Sequence, residues 1–136
     1  GPDKERMMAS VRSRKMEQHF EFKGWVDRQD DIYSDIDMVI IPSNIEGVPL
    51  VMIEAILRKT PVLAHICPGT EVFREYLDPE FLFALDNEAV DKLCQIESLI
   101  KAYSNKAEYL KQSVAKKHNP EKFERDLLNI VESLIK

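Results

Sequence analysis

The sequence predicts an α/β fold: an open parallel sheet with helices on both faces. Two observations carry this. Apolar runs at 37–41, 60–64 and 81–85 alternate with stretches of helical periodicity from one end of the chain to the other. The first two runs are continuously apolar rather than alternating, as expected of strands covered on both sides, and a strand–helix alternation of this kind builds parallel sheets.

Residues 3–15 read as a first helix. Pro2 suits its start, Asp3 and Glu5 complement the helix dipole, and Met7, Met8 and Val11 give an apolar stripe. Residues 19–23 alternate, with Phe20 and Phe22 on one side, and predict a strand ended by Gly24. A short helix over 30–36 carries Ile32, Tyr33 and Ile36. The run 37–41 is stopped by Pro42, a helix follows at 49–58, and 60–64 is the next buried strand. Thr70 is the expected N-cap of a helix over 70–77. After the strand at 81–85 come amphipathic helices at 87–103 and 106–116, and Asn119-Pro-Glu121 opens a last helix through 136.

The 136 residues amount to one domain or less. A net charge of -5 argues against a nucleic-acid partner. Cys67 and Cys94 form no C-x-x-C pair, so a disulfide scaffold is not expected and a reducing, cytoplasmic compartment fits. No apolar stretch approaches the roughly 18 residues of a bilayer span, and no signal peptide opens the chain. His65 and Cys67 lack further ligands at metal-binding spacing and read as local packing, so no metal and no cofactor is expected. His19 and His118 have no partner for nucleophilic catalysis. The charged clusters at 27–31 and 111–117 read as solvated faces, with an anionic membrane surface as the second reading of the lysines.

In open parallel sheets ligands bind at the carboxyl ends of strands. The loop after 37–41 is the most informative of these: Pro42-Ser-Asn-Ile-Glu46-Gly47-Val48-Pro49-Leu50-Val51-Met-Ile-Glu54. Its helix is apolar nearly all round and is expected to be buried, with one carboxylate, Glu54, in its middle. A buried carboxylate needs partners. It either bonds a neighbouring loop or a lysine, or it faces a cleft. Gly47 allows close backbone approach and Pro49 suits the first helical position. The N–H groups of Leu50, Val51 and Met52 then form an anion site at the helix start. A diphosphate there, flanked by Glu46 and Glu54 as acceptors for hydroxyls, describes a nucleotide-sugar.

The segment E-G-V-P-L-V-M-I-E-A resembles the E-x7-E signature of the retaining glycosyltransferases of group 1. Five further segments resemble that family in the same order: Gly1-Pro2-Asp3 its G-D-G-P turn, Phe22-Lys-Gly24-Trp25-Val26 its F-x-G-x-V strand end, Asp37 to Ser43 its A-D-V-x-x-x-P-S strand, Pro61 to Ala64 its P-V-I-A strand, and the closing helix with Phe123 its last helix. The resemblance implies a Rossmann-like sheet, the C-terminal half of a GT-B fold, so that residues 1–136 are a partial donor-binding domain truncated at its N-terminal side. It implies transfer of a sugar from a nucleotide-diphosphate donor to an acceptor hydroxyl with retention of configuration. Glu46 then meets the donor sugar and is the catalytic candidate. Glu54 binds ribose hydroxyls, Gly47, Val48, Pro49, Leu50 and Val51 face sugar and diphosphate, and Gly24, Trp25 and Val26 meet the base mainly through backbone.

The family's first two strands, its basic Arg/Lys pair and its acceptor domain have no counterpart here. The fragment alone is therefore expected to be inactive. The acceptor, a glycan, a lipid-linked sugar or a small molecule, would sit on the missing N-terminal domain, and a lipid-linked one would bring a peripheral contact with the inner membrane face. Two readings compete with the enzyme: a non-catalytic nucleotide-sugar-binding or scaffold domain of the same fold, and a nucleotide-sugar epimerase, which E-G-x-P-x4-E does not suggest.

Overall fold

The computed structural model describes residues 3–119, 121, 122, 124 and 125. The chain divides into two compact units, residues 1–32 and 33–136.

The first unit holds α1 (Lys4–Ser13), none of whose residues is buried, and a 3-10 turn at Glu17–His19. The strand expected at 19–23 does not form. Phe20 is extended, but no described strand lies beside it, and an extended segment without a ladder partner is not a strand. Gly24 takes φ 74°, a left-handed turn suited to glycine. Helix α2 (Gln29–Tyr33) is shorter than its expectation, and Ile32 and Ile36 remain exposed.

The second unit is built on a three-stranded parallel sheet in the order β1 (Val39–Ile41), β2 (Val62–His65), β3 (Leu82–Phe83). Val39 pairs with Val62, Ile41 with Ala64, and Ala64 with Leu82. Helix α3 (Leu50–Leu57) joins β1 to β2, and the short α4 (Pro68–Glu71) leads from β2 towards β3. Helices α5 (Asp86–Leu93) and α6 (Ile96–Lys117) follow. This α/β arrangement, with helices around a parallel sheet, matches the expected class. One core joins Ile41, Val62 and Ala64 of the sheet to Met52, Ala55 and Ile56 of α3 and to Leu99, Tyr103, Ala107, Leu110 and Val114 of α6.

Several boundaries differ from expectation. Helix α3 is not buried all round: Met52, Ala55 and Ile56 face the core, while Leu50 and Val51 are exposed. The helix expected from Thr70 begins at Pro68 and is a single turn. Thr70 sits inside that turn as its third residue, where its hydroxyl accepts from the Cys67 N–H at 2.9 Å. The break expected at Ser104 and Asn105 lies instead at Cys94–Gln95. Ser104 returns its hydroxyl to the Ile100 carbonyl and α6 runs on, because its buried stripe continues without interruption through Tyr103 and Ala107. Asn119 caps the next helix, accepting from the Glu121 and Lys122 N–H groups. The Gly1-Pro2 turn and the closing helix from 126 onward, with Phe123, lie outside the described residues.

Candidate functional site

The carboxyl ends of β1 and β2 are adjacent in a parallel pair, so the two loops that leave them meet. The first loop carries Glu46 and Gly47, the second Cys67 and Gly69. Gly69 is buried against the first loop. A Cβ on Gly69 would stand 2.5 Å from the Glu46 carbonyl oxygen and closer still to that of Gly47. Gly47 is the backbone that Gly69 packs on, while a Cβ on Gly47 itself would meet nothing within 4 Å.

Cys67 is buried in the second loop. It is 6 % exposed. Burial pushes its thiol up, but the adjacent Thr70 hydroxyl and the N–H groups of Thr70, Gly69 and Glu46 outweigh burial, and the net shift is downward. The Thr70 hydroxyl lies 3.6 Å from the Cys67 sulfur. Thr70 donates to the His65 carbonyl at 2.6 Å and ties the turn to the end of β2.

A cavity of about 330 Å³ opens beside this junction. Pro42, Ser43, Glu46, Val48 and the helix start Pro49, Leu50 and Val51 line it, with Ile40 and Ile41 of β1 as its floor. The expected helix-end donors are reduced by one: the Met52 N–H is bonded to the Pro49 carbonyl at 2.9 Å, leaving the Leu50 and Val51 amides at that end. Among the described residues, no lysine or arginine lines this cavity.

Glu54 lies one turn further along α3, on the same side as Leu50 and Val51. It is not among the lining residues of the cavity. Its Oε2 accepts from the Tyr33 hydroxyl at 2.9 Å, and the Arg58 guanidinium stands 4.9 Å from the centre of the Tyr33 ring. Gly24, Trp25 and Val26 belong to the first unit. Trp25 is 89 % exposed, and its ring N–H donates to Asp27 Oδ1 at 2.7 Å. Sequence reasoning did not find Tyr33, Cys67 or Gly69. The Pro-Gly-Thr that follows β2 was the available signal for the last two; nothing local points to Tyr33.

A family model described as glycosyl transferases group 1 matches residues 1–101. The chain belongs to the group 1 glycosyltransferase family. No curated protein and no solved structure matches it. Glycosyl transfer is the chemistry of this family. Among the described residues no helix is long and apolar enough to cross a membrane, and no three His, Cys, Asp or Glu side chains are grouped as metal ligands.

Proposed function

We propose that this chain is the donor-binding half of a retaining glycosyltransferase of the GT-B type. It takes a nucleotide-diphosphate sugar and passes the sugar to an acceptor hydroxyl. The observation that carries this reading is the cavity at the end of β1, where the Glu46 side and the start of α3 share one wall. Helix-start amides favour a diphosphate, and a carboxylate beside them accepts from sugar hydroxyls.

In this reading the diphosphate lies against Leu50 and Val51, Glu46 receives the donor sugar, and Glu54 receives the ribose. Gly47, Val48 and Pro49 shape the approach, and the backbone of Gly24, Trp25 and Val26 is assigned to the base on the family resemblance alone. The half-domain orients the donor and stabilises the departing diphosphate; it supplies no covalent nucleophile. In this reading the stabilisation of the departing diphosphate is completed by positive charges that are not among the described residues lining the cavity. No metal enters the chemistry. We place the enzyme in the cytoplasm, where its acceptor is a glycan, a small molecule or a lipid-linked sugar; a lipid-linked acceptor brings it to the inner membrane face.

Incubating the full-length protein with a panel of nucleotide sugars, and reading the anomeric configuration of the product by NMR, tests this. Retention is expected. An inverted product overturns the retaining assignment, and nucleotide-diphosphate binding without transfer or donor hydrolysis favours the scaffold reading. The isolated 136-residue chain is expected to bind but not to turn over.

A further inference from the structure

Tyr33 is the last residue of α2, and its ring is buried against α3. Three contacts fix it. The hydroxyl donates to Glu54 Oε2 at 2.9 Å, it stands 3.4 Å from the Val51 carbonyl oxygen, and the ring face is covered by the Arg58 guanidinium at 4.9 Å. Val51, Glu54 and Arg58 are spaced by three and four residues, so all three present to Tyr33 from one side of α3. A glutamate has three side-chain torsions, and a carboxylate that must receive two hydroxyls at once loses affinity for every orientation it samples besides the receptive one. A rigid phenol bonded to one oxygen removes that freedom before any ligand arrives. The Tyr33 hydroxyl, pushed up to about 12 by burial and then by Glu54, keeps its proton and remains a donor across the physiological range.

We propose that Tyr33 is a positioning residue for nucleotide recognition: its hydroxyl holds the Glu54 carboxylate in the orientation that accepts the paired hydroxyls of a ribose. This rests on the reading of Glu54 as the ribose acceptor. A ring that only filled the core would affect every ligand alike, whereas a positioning hydroxyl affects only ligands that carry the ribose hydroxyls.

The test uses calorimetry on the full-length protein and on Tyr33→Phe, Glu54→Gln and the double variant. Tyr33→Phe keeps the ring and its cover by Arg58. The probes are UDP, GDP and ADP, then the dideoxy counterpart of the tightest binder, which lacks both ribose hydroxyls. The unaltered protein should prefer the ribonucleotide by about tenfold or more. Tyr33→Phe should weaken the ribonucleotide by about threefold to tenfold and leave the dideoxy form unchanged, which also reports that the site is folded. In the Glu54→Gln background Tyr33→Phe should have no further effect. Tyr33→Leu, a second apolar replacement, should reproduce the selective loss. If the unaltered protein binds no nucleotide, or does not distinguish the two forms, the Glu54 reading falls and this inference with it. If it distinguishes them and Tyr33→Phe keeps the full ratio, or weakens both forms equally, the Glu54 reading stands and the role of Tyr33 is overturned.

Discussion

Gly69 packs directly on the backbone of Gly47, with no room between them for a side-chain carbon. The clash would be with main-chain atoms on both sides, the carbonyl groups of Gly47 and Glu46, and these cannot rotate away. The loop that holds Glu46 is therefore positioned by a glycine more than twenty residues later in the chain.

Gly69→Ala should lower the unfolding free energy by about 1–3 kcal/mol, the range for overpacking a filled site. It should also displace Glu46. Gly47→Ala should leave stability nearly unchanged, because its Cβ would meet nothing within 4 Å. Urea denaturation of both variants separates them. Equal losses would mean that the junction does not depend on the approach at Gly69.

The elements legible in the sequence were those whose signal is local. The apolar runs at β1 and β2 name themselves, and E-G-V-P marks a loop and a helix start within four residues. The misplaced elements depended on partners distant in sequence. Residues 19–23 alternate as a strand does, yet strand formation needs a neighbouring ladder. Ser104-Asn105 looks like a breaker, yet the buried stripe from Leu99 to Val114 overrides it. The same division holds at the site. Glu46 and Glu54 stood out by their surroundings in sequence, whereas the groups holding them, Tyr33 and the Cys67–Thr70 turn, reach them only through the fold.

Lys59 ends α3 at φ 61°, a left-handed conformation that strains a residue with a Cβ. It also pairs with Glu108 at 2.6 Å, both side chains half exposed. A surface pair of this kind contributes about 0.2–1 kcal/mol, and relieving the left-handed strain returns about 1–2 kcal/mol. Strain outweighs the pair, so Lys59→Gly should raise the thermal midpoint slightly. A drop of several degrees would show that the pair with Glu108 is the larger effect.

Alkaline pH should destabilise the protein through its buried phenols. Tyr33 is pushed from 10.0 to about 12, by burial first and then by Glu54. Burial also raises Tyr76 and Tyr103. For each, the unfolded chain gives up its proton first and so binds fewer protons than the native state, and stability falls as pH rises. The contribution from Tyr33 is fully present below pH 10.0 and is lost on passing through about 12. Guanidinium unfolding across that window should show the decline, and Tyr33→Phe should flatten it. An equal slope in the variant would mean that the phenol is not shielded as its contacts indicate.

The two glutamates should separate in kinetics. Glu54, held by Tyr33 one turn below the helix start, acts on the nucleoside in the proposed arrangement. Glu46, which lines the cavity beside Leu50 and Val51, acts on the transferred sugar in the same proposal. Hydrogen bonds to a charged group contribute about 1.5–3 kcal/mol, so Glu54→Gln in the full-length enzyme should weaken both the bare nucleotide diphosphate and the intact donor by roughly tenfold or more. Glu46→Gln should leave the bare nucleotide diphosphate nearly unaffected. Its deficit should appear in kcat more than in KM, because the interaction strengthens as the sugar gains positive charge on the way to the transition state. Calorimetry with the nucleotide diphosphate, beside steady-state kinetics with the donor, measures both. If Glu46→Gln weakens the bare nucleotide as much as Glu54→Gln does, the sugar does not lie where we propose it, although membership of the family would be untouched by that result.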